Sequence, residues 1–191
     1  MWRIASLALL LAGCASVPPA PAPVRPAQIQ TTSFALTGRI AVRYDGKSSS
    51  GGVHWQHDAK SDEILLLAPL GQTVARISRT TRPAIPAQTF TLDAEGKHYA
   101  AQDAESLTEK VLGWRLPLAG LQYWVLGLPV PGGPFTGQRT ENGEWGVLHQ
   151  DGWTIHYTRY AAQTADSLPL RMTLQREGLE IKLLIDEWQI K

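Results

Sequence analysis

The stretch at residues 168–188, LPLRMTLQREGLEIKLLIDEW, settles how this chain is built. Leu168, Leu170, Met172 and Leu174 alternate with Pro169, Arg171, Thr173 and Gln175. After Glu177-Gly178, Leu179, Ile181, Leu183 and Ile185 alternate with mostly polar neighbours. Successive side chains of a strand point to opposite faces, so this repeat of two marks strands with one buried face. The same rhythm runs backwards through the chain. Trp153, Ile155 and Tyr157 alternate with Thr154, His156 and Thr158, and Phe34, Leu36, Ile40, Val42 and Tyr44 form the apolar side of residues 34–44. Between the runs stand Asp45-Gly46, Glu95-Gly96, Asn142-Gly143, Asp151-Gly152 and Glu177-Gly178, which mark tight hairpins. Most of the chain therefore reads as one antiparallel sheet.

The middle breaks the rhythm. Asp103 can cap a helix in which Ala104, Leu107 and Val111 share a face, ending at Gly113. Pro117 can open a second, with Leu118, Leu121, Val125 and Leu128 on one stripe, stopped by Gly127 and Pro129. Two short amphipathic helices need an apolar surface to cover, and the sheet supplies the large one. The expected fold is α+β, an unclosed, strongly curved antiparallel β-barrel with inserted helices acting as a lid. Such a shape can enclose an apolar cavity or be filled by its own side chains, and the sequence leaves both open.

The first thirteen residues stand apart. Arg3 provides a basic start and residues 4–11 an apolar run too short to span a bilayer as a helix, so 1–13 reads as a signal segment. Leu11-Ala12-Gly13-Cys14 resembles the bacterial lipobox, which implies an S-diacylglycerol and an N-acyl chain on Cys14. More than one long chain anchors a protein stably. Ala15 in place of Asp implies outer-membrane sorting. Residues 14–33 carry Pro18, Pro19, Pro21, Pro23 and Pro26 and read as an extended tether, leaving 34–191 as the folded domain. The chain of 191 residues has 18 basic and 17 acidic side chains, and losing Arg3 with the signal makes them equal. A neutral domain argues against nucleic acid and against electrostatic binding to membranes.

Catalytic signals are missing. Gly46-Lys47-Ser48 lacks the glycine a phosphate-binding loop needs five residues earlier, where Ala41 stands, and residues 48–52 (SSSGG) read as a flexible hairpin loop. His54 and His57 do not share a strand face, so no metal site is expected. There is no Gly-x-Ser-x-Gly elbow, and lipid consumes the single cysteine. No enzyme and no cofactor are expected. Of six tryptophans in the domain (55, 114, 124, 145, 153 and 188) most should fill the core.

One stretch resists a purely structural reading. In LLLAPLGQTV (65–74), Pro69 and Gly71 break an apolar strand and leave Leu70 between them in an uncharged turn. A hairpin accounts for the breakers, with 64–67 rising, 68–71 at the tip and 73–77 returning.

In order along the chain, FALTGRIAVRYDGKSSSGGVHWQ (34–56), LLLAPLGQTVARI (65–77), YAAQDAES (99–106), LPLAGLQYWVLGLP (116–129), GWTIHYTRY (152–160) and the opening stretch resemble the LolB family of outer-membrane lipoprotein receptors. The resemblance implies a lipid-anchored domain facing the periplasm of a Gram-negative bacterium. Such a domain accepts lipoproteins from a LolA-type periplasmic carrier and inserts them into the inner leaflet of the outer membrane, without nucleotide. Its partners would be that carrier, the acyl chains of the cargo and outer-membrane lipid. It also implies that Leu70, flanked by Pro69 and Gly71, is a membrane-inserting residue. Trp55, Leu67, Leu121, Val125 and Trp153 are expected as walls of an acyl-binding cavity. The alternatives are a structural or assembly-complex outer-membrane lipoprotein with a filled barrel, and an exported hydrolase.

Overall fold

A computed structural model describes Arg25, residues 33–81 and residues 88–190. Cys14, the signal segment and, Arg25 and Ser33 apart, the expected tether lie outside the described residues.

Six strands come first: β1 Phe34–Tyr44, β2 Lys47–His57, β3 Ser61–Leu67, β4 Thr73–Thr81, β5 Gln88–Ala94 and β6 Lys97–Ala101. Two helices follow, α1 Ala104–Leu112 and α2 Leu118–Trp124. Five more strands complete the chain: β7 Phe135–Arg139, β8 Trp145–Gln150, β9 Trp153–Tyr160, β10 Pro169–Arg176 and β11 Leu179–Ile190. All eleven form one sheet in the order β6-β5-β4-β3-β2-β1-β11-β10-β9-β8-β7. Each meander pairs only sequence neighbours, and β1 joins β11 antiparallel to weld the two halves. The ends, β6 and β7, remain the free edges, so the barrel is unclosed and the helices lie on the connection between them.

The turn chemistry explains the meander. Asp45-Gly46, Glu95-Gly96, Asp151-Gly152 and Glu177-Gly178 all have positive φ at both positions, 49° and 70° for the first pair. That is the two-residue hairpin whose twist matches its strands. Register is then fixed by burial, since a one-residue slip would expose Leu36, Trp55, Ile64, Ile77, Ile155 and Leu174 together. Two irregularities alter the simple alternation. On β11 an extra residue falls between the partners of Thr37 and Gly38, and a Cβ on Gly38 would lie 2.1 Å from the Leu184 carbonyl oxygen. On β10 the register shifts around Arg171. Leu168 and Pro169 are therefore both buried and Leu170 is only half-buried, so Leu170 does not share the face of Met172 as strict alternation requires.

α1 forms as expected: the Asp103 carboxylate accepts from the Glu105 and Ser106 amides at 3.2 and 2.8 Å, and Gly113 closes it with φ 81°. Those hydrogen bonds, the Ser106 side chain's first, hold the Asp103 carboxyl below its usual range. Inside the helix the Thr108 hydroxyl donates to the Ala104 carbonyl and accepts from the Leu116 amide at 2.9 Å, tying the helix to the chain that enters α2. α2 is shorter than its apolar stripe suggests. Turn-like bonds, Leu126 N–H to Tyr123 and Gly127 N–H to Trp124, end it before Leu128.

Residues 48–52 are not a loop. They belong to β2, with Ser50 opposite Ala41 and Gly52 opposite Arg39. The close approach of β3 explains the glycines, because a Cβ on Gly51 would lie 2.1 Å from the Leu67 carbonyl oxygen. Small residues that read as flexibility are instead the condition for a tight strand pair.

Candidate functional site: a leucine-tipped hairpin between two cavities

The β3–β4 hairpin carries its tip on a defined turn. The Gly71 amide donates to the Ala68 carbonyl at 2.8 Å, and the Ala68 amide donates to the Gln72 carbonyl at 2.8 Å. Pro69 takes the second turn position, where its fixed φ fits, and Gly71, at φ 85°, takes the fourth. Leu70 keeps negative φ, so the turn places no strain on it. Its side chain is 85% exposed, the most exposed large apolar residue among those described, and Val74 beside it is 52% exposed. A leucine left in water forgoes about 1.5–3 kcal/mol of burial.

The stem of this hairpin borders both large cavities. One, about 730 Å³, lies between α1 with its following turn and the β1–β6 half of the sheet, and Ile40, Leu66, Ala75, Tyr99, Val111 and Trp114 contribute to its wall. Its size falls within the ~300–1,000 Å³ of small-molecule sites. The other, about 920 Å³, runs from Ala68, Pro69 and Gly71 across β2, β1, β11 and β10. The two share Ile40, Ser50, Gly51, Gly52 and Leu67.

Of the expected cavity walls, Leu67 borders both spaces. Trp55, Leu121 and Val125 are packed in the core and border neither. Trp153 stacks obliquely on Trp124, ring centres 6.2 Å apart, and borders smaller recesses beside the β8–β9 turn and under α1. The interior is thus divided. Around α2 it is filled: Trp124 donates through Nε1 to Gln150 at 3.1 Å, Gln150 also clasps Val130, and the Tyr157 hydroxyl donates to the Trp124 carbonyl at 2.9 Å. Burial pushes the Tyr157 and Tyr160 hydroxyls above the usual phenol range, so both stay protonated donors. Around α1 it is hollow. The side chains that make the difference, Trp114 and Tyr99 against Gly51 and Ala75, come from separate elements, so no local pattern announced them.

Two polar features escaped sequence reading. Asp62 is buried on β3, accepting from Trp55 Nε1 at 2.8 Å, lying 2.7 Å from His57 Nδ1 and pairing with buried Arg79. Arg79 also donates to the Asp58 carbonyl and the Thr81 hydroxyl, so the ion pair is fully partnered. Period-two spacing of Asp62 with Ile64 and Leu66 was the available signal. Arg25, within the expected tether, is pinned to the domain: its amide donates to the Asp166 carbonyl at 2.5 Å and its Nε to the Leu126 carbonyl at 2.7 Å. Burial lowers its pKa.

Comparison with known proteins agrees with this geometry. A family model described as outer membrane lipoprotein LolB matches residues 32–188. The chain belongs to the LolB family. It is 40% identical over 187 residues to the outer-membrane lipoprotein LolB of Chromobacterium violaceum, covering 96% of each chain. Against LolB of Thiobacillus denitrificans the figure is 38%, covering 97% of this chain and 95% of that one. Among solved structures, a Vibrio parahaemolyticus domain described as an outer membrane lipoprotein-sorting protein domain superposes with TM-score 0.50 at 11% identity, covering 85% of this chain and 86% of the other. That likeness concerns the fold alone, an unclosed barrel with helices. Among the described residues no helix is long and apolar enough to cross a membrane.

Proposed function

We propose that this LolB-family protein is a lipid-anchored acceptor that takes lipoproteins from a LolA-type periplasmic carrier and inserts them into the inner leaflet of the outer membrane. The observation that carries the reading is Leu70, bare at the tip of a hairpin whose stem borders the hollow half of the barrel. Cys14, with its two acyl attachments, holds the domain at the membrane. Anchoring makes contact with the leaflet intramolecular, so a side chain worth only about 1.5–3 kcal/mol is enough to bias it. The acyl chains of the cargo occupy the 730 Å³ space between α1 and β1–β6. An acyl chain moved from a dry cavity to a bilayer changes little in free energy, whereas a chain released through water costs about 0.8 kcal/mol per methylene. Direct hand-over therefore runs without nucleotide, and nothing in the role asks for catalysis. A hollow rather than filled α1 half favours this over a structural lipoprotein.

The test is Leu70→Glu in the lipidated full chain. Melting temperature and cargo capture from the carrier are expected to stay at wild-type levels, while insertion into vesicles falls at least tenfold, the equivalent of about 1.4 kcal/mol. Unimpaired insertion would overturn the role of the loop.

A further inference from the structure

The larger cavity has a second property that the acyl route does not use. Its floor is the face of the sheet opposite the core. Arg171, Leu184, Arg39, Gly52 and Leu67 stand directly opposite one another across five strands, out of phase with buried Met172, Leu183 and Val53. At ~4.8 Å per strand this row is about 19 Å long. Lys182 and Thr173 face each other one step along. Leu67, Leu184 and Ala41 make the floor apolar, and Ala68, Pro69 and Gly71 of the Leu70 turn form one wall. Arg39, Arg171 and Lys182 contribute three positive charges to the lining, which contains no acidic residue. Arg39 reaches Asp186 at 3.1 Å in an exposed pair that holds little, and Lys182 reaches the half-buried Glu180 at 3.1 Å. Arg171 has no ion-pair partner among the described residues.

The geometry points to a phospholipid site on this outer face: the phosphate of an anionic lipid headgroup among Arg39, Arg171 and Lys182, with the lipid's upper chain over Leu67 and Leu184. This rests on the reading that Leu70 touches the leaflet, because the groove shares a wall with that turn and would lie in the same interfacial plane. Overall neutrality does not oppose it. Screening confines electrostatics to about 8 Å at physiological salt, so a headgroup meets the local cluster, in which Asp186 and Glu180 offset part of the charge of Arg39 and Lys182 and Arg171 has no acidic partner among the described residues.

The experiment asks for lipid contact directly. Full-length lipidated protein is reconstituted in phosphatidylcholine vesicles doped with photoactivatable phosphatidylglycerol or photoactivatable phosphatidylcholine, and crosslinks are mapped on the protein. Wild type should be labelled on β1, β10 and β11 beside the groove, more by the anionic probe. Arg171→Gln should lower the ratio of anionic to neutral labelling about fivefold, and Arg171→Gln with Lys182→Gln further. Arg171→Lys, which keeps the charge, should retain the ratio and excludes misfolding as the cause. Leu70→Ser should lower labelling by both probes alike. An unchanged ratio in the double variant overturns the headgroup site while leaving the Leu70 reading intact. Total labelling untouched by Leu70→Ser would remove the leucine's role and with it the shared interfacial plane, which overturns the proposal on separate grounds. An unchanged ratio accompanied by lost cargo transfer would assign the groove to an acidic protein surface, and overturns the proposal equally.

Discussion

Two hairpins of this molecule turn on the same backbone with opposite chemistry. At the β3–β4 tip the Ala68 amide donates to the Gln72 carbonyl, the Gly71 amide to the Ala68 carbonyl, and Gly71 sits at φ 85°. At the β7–β8 tip the Thr140 amide donates to the Glu144 carbonyl, the Gly143 amide to the Thr140 carbonyl, and Gly143 sits at φ 89°. The third position is Leu70 in one and Asn142 in the other, both exposed with negative φ. Asn is what such a turn ordinarily holds. The second tip is acidic and locally braced: Glu144 is buried and accepts from the Thr140 hydroxyl, and Arg139 donates to the Gly143 carbonyl at 2.5 Å. The first is uncharged and unbraced. Since the backbone is satisfied without a leucine, the fold does not ask for Leu70.

The largest expected effect comes from grafting one tip on the other. Ala68→Thr, Pro69→Glu, Leu70→Asn and Gln72→Glu together keep the turn and should cost about 1 kcal/mol of stability, mostly from losing Pro69. Insertion of cargo into vesicles should fall about ten- to a hundredfold, since leucine burial is removed and two charges oppose contact with lipid. A graft that inserts cargo at the wild-type rate would show that the two tips are interchangeable.

A smaller difference separates the two glycines. Gly71→Ala and Gly143→Ala both force a side chain into the left-handed region, at about 1–2 kcal/mol. A Cβ on Gly71 meets nothing within 4 Å, whereas one on Gly143 would lie 3.0 Å from the Ala165 Cβ. Denaturant midpoints should therefore drop more for Gly143→Ala. Equal drops would mean that the loop carrying Ala165 yields freely.

Sequence reading reached the local level of this architecture and stopped where distant strands meet. Alternation and acidic-Gly pairs foretold the meanders because each is a property of neighbouring residues. Asp103 and Gly113 bracketed α1 for the same reason. Residues 48–52 read as a loop because small side chains look like slack, whereas the Leu67 backbone pressed against Gly51 requires them. Leu170 fell out of phase because nothing local announces the shift at Arg171. Leu70 is legible as an anomaly, a bare leucine between Pro69 and Gly71 in an uncharged turn. The cavity walls were not. Trp55, Leu121 and Val125 are as apolar as Leu67, and only the placement of α1 and the β2–β3 approach separates lining from filling. The cluster of Arg39, Arg171 and Lys182 draws on three strands that β1–β11 pairing brings together.

The smallest effect is the most discriminating. Asn142→Leu puts a second bare leucine on the matching backbone at the other end of the sheet, and an exposed substitution there should shift stability by no more than about 0.5 kcal/mol. In a Leu70→Ser background it should not restore insertion. Leucine at position 142 would be flanked by exposed Glu141, outside the lining of the cavity that Leu66, Leu67 and Val74 border and of the Arg171 groove. If exposure of any leucine sufficed, this variant would rescue vesicle insertion. Absence of rescue would tie the function to where Leu70 stands, at the tip of the stem that walls both cavities, and not to its hydrophobicity alone.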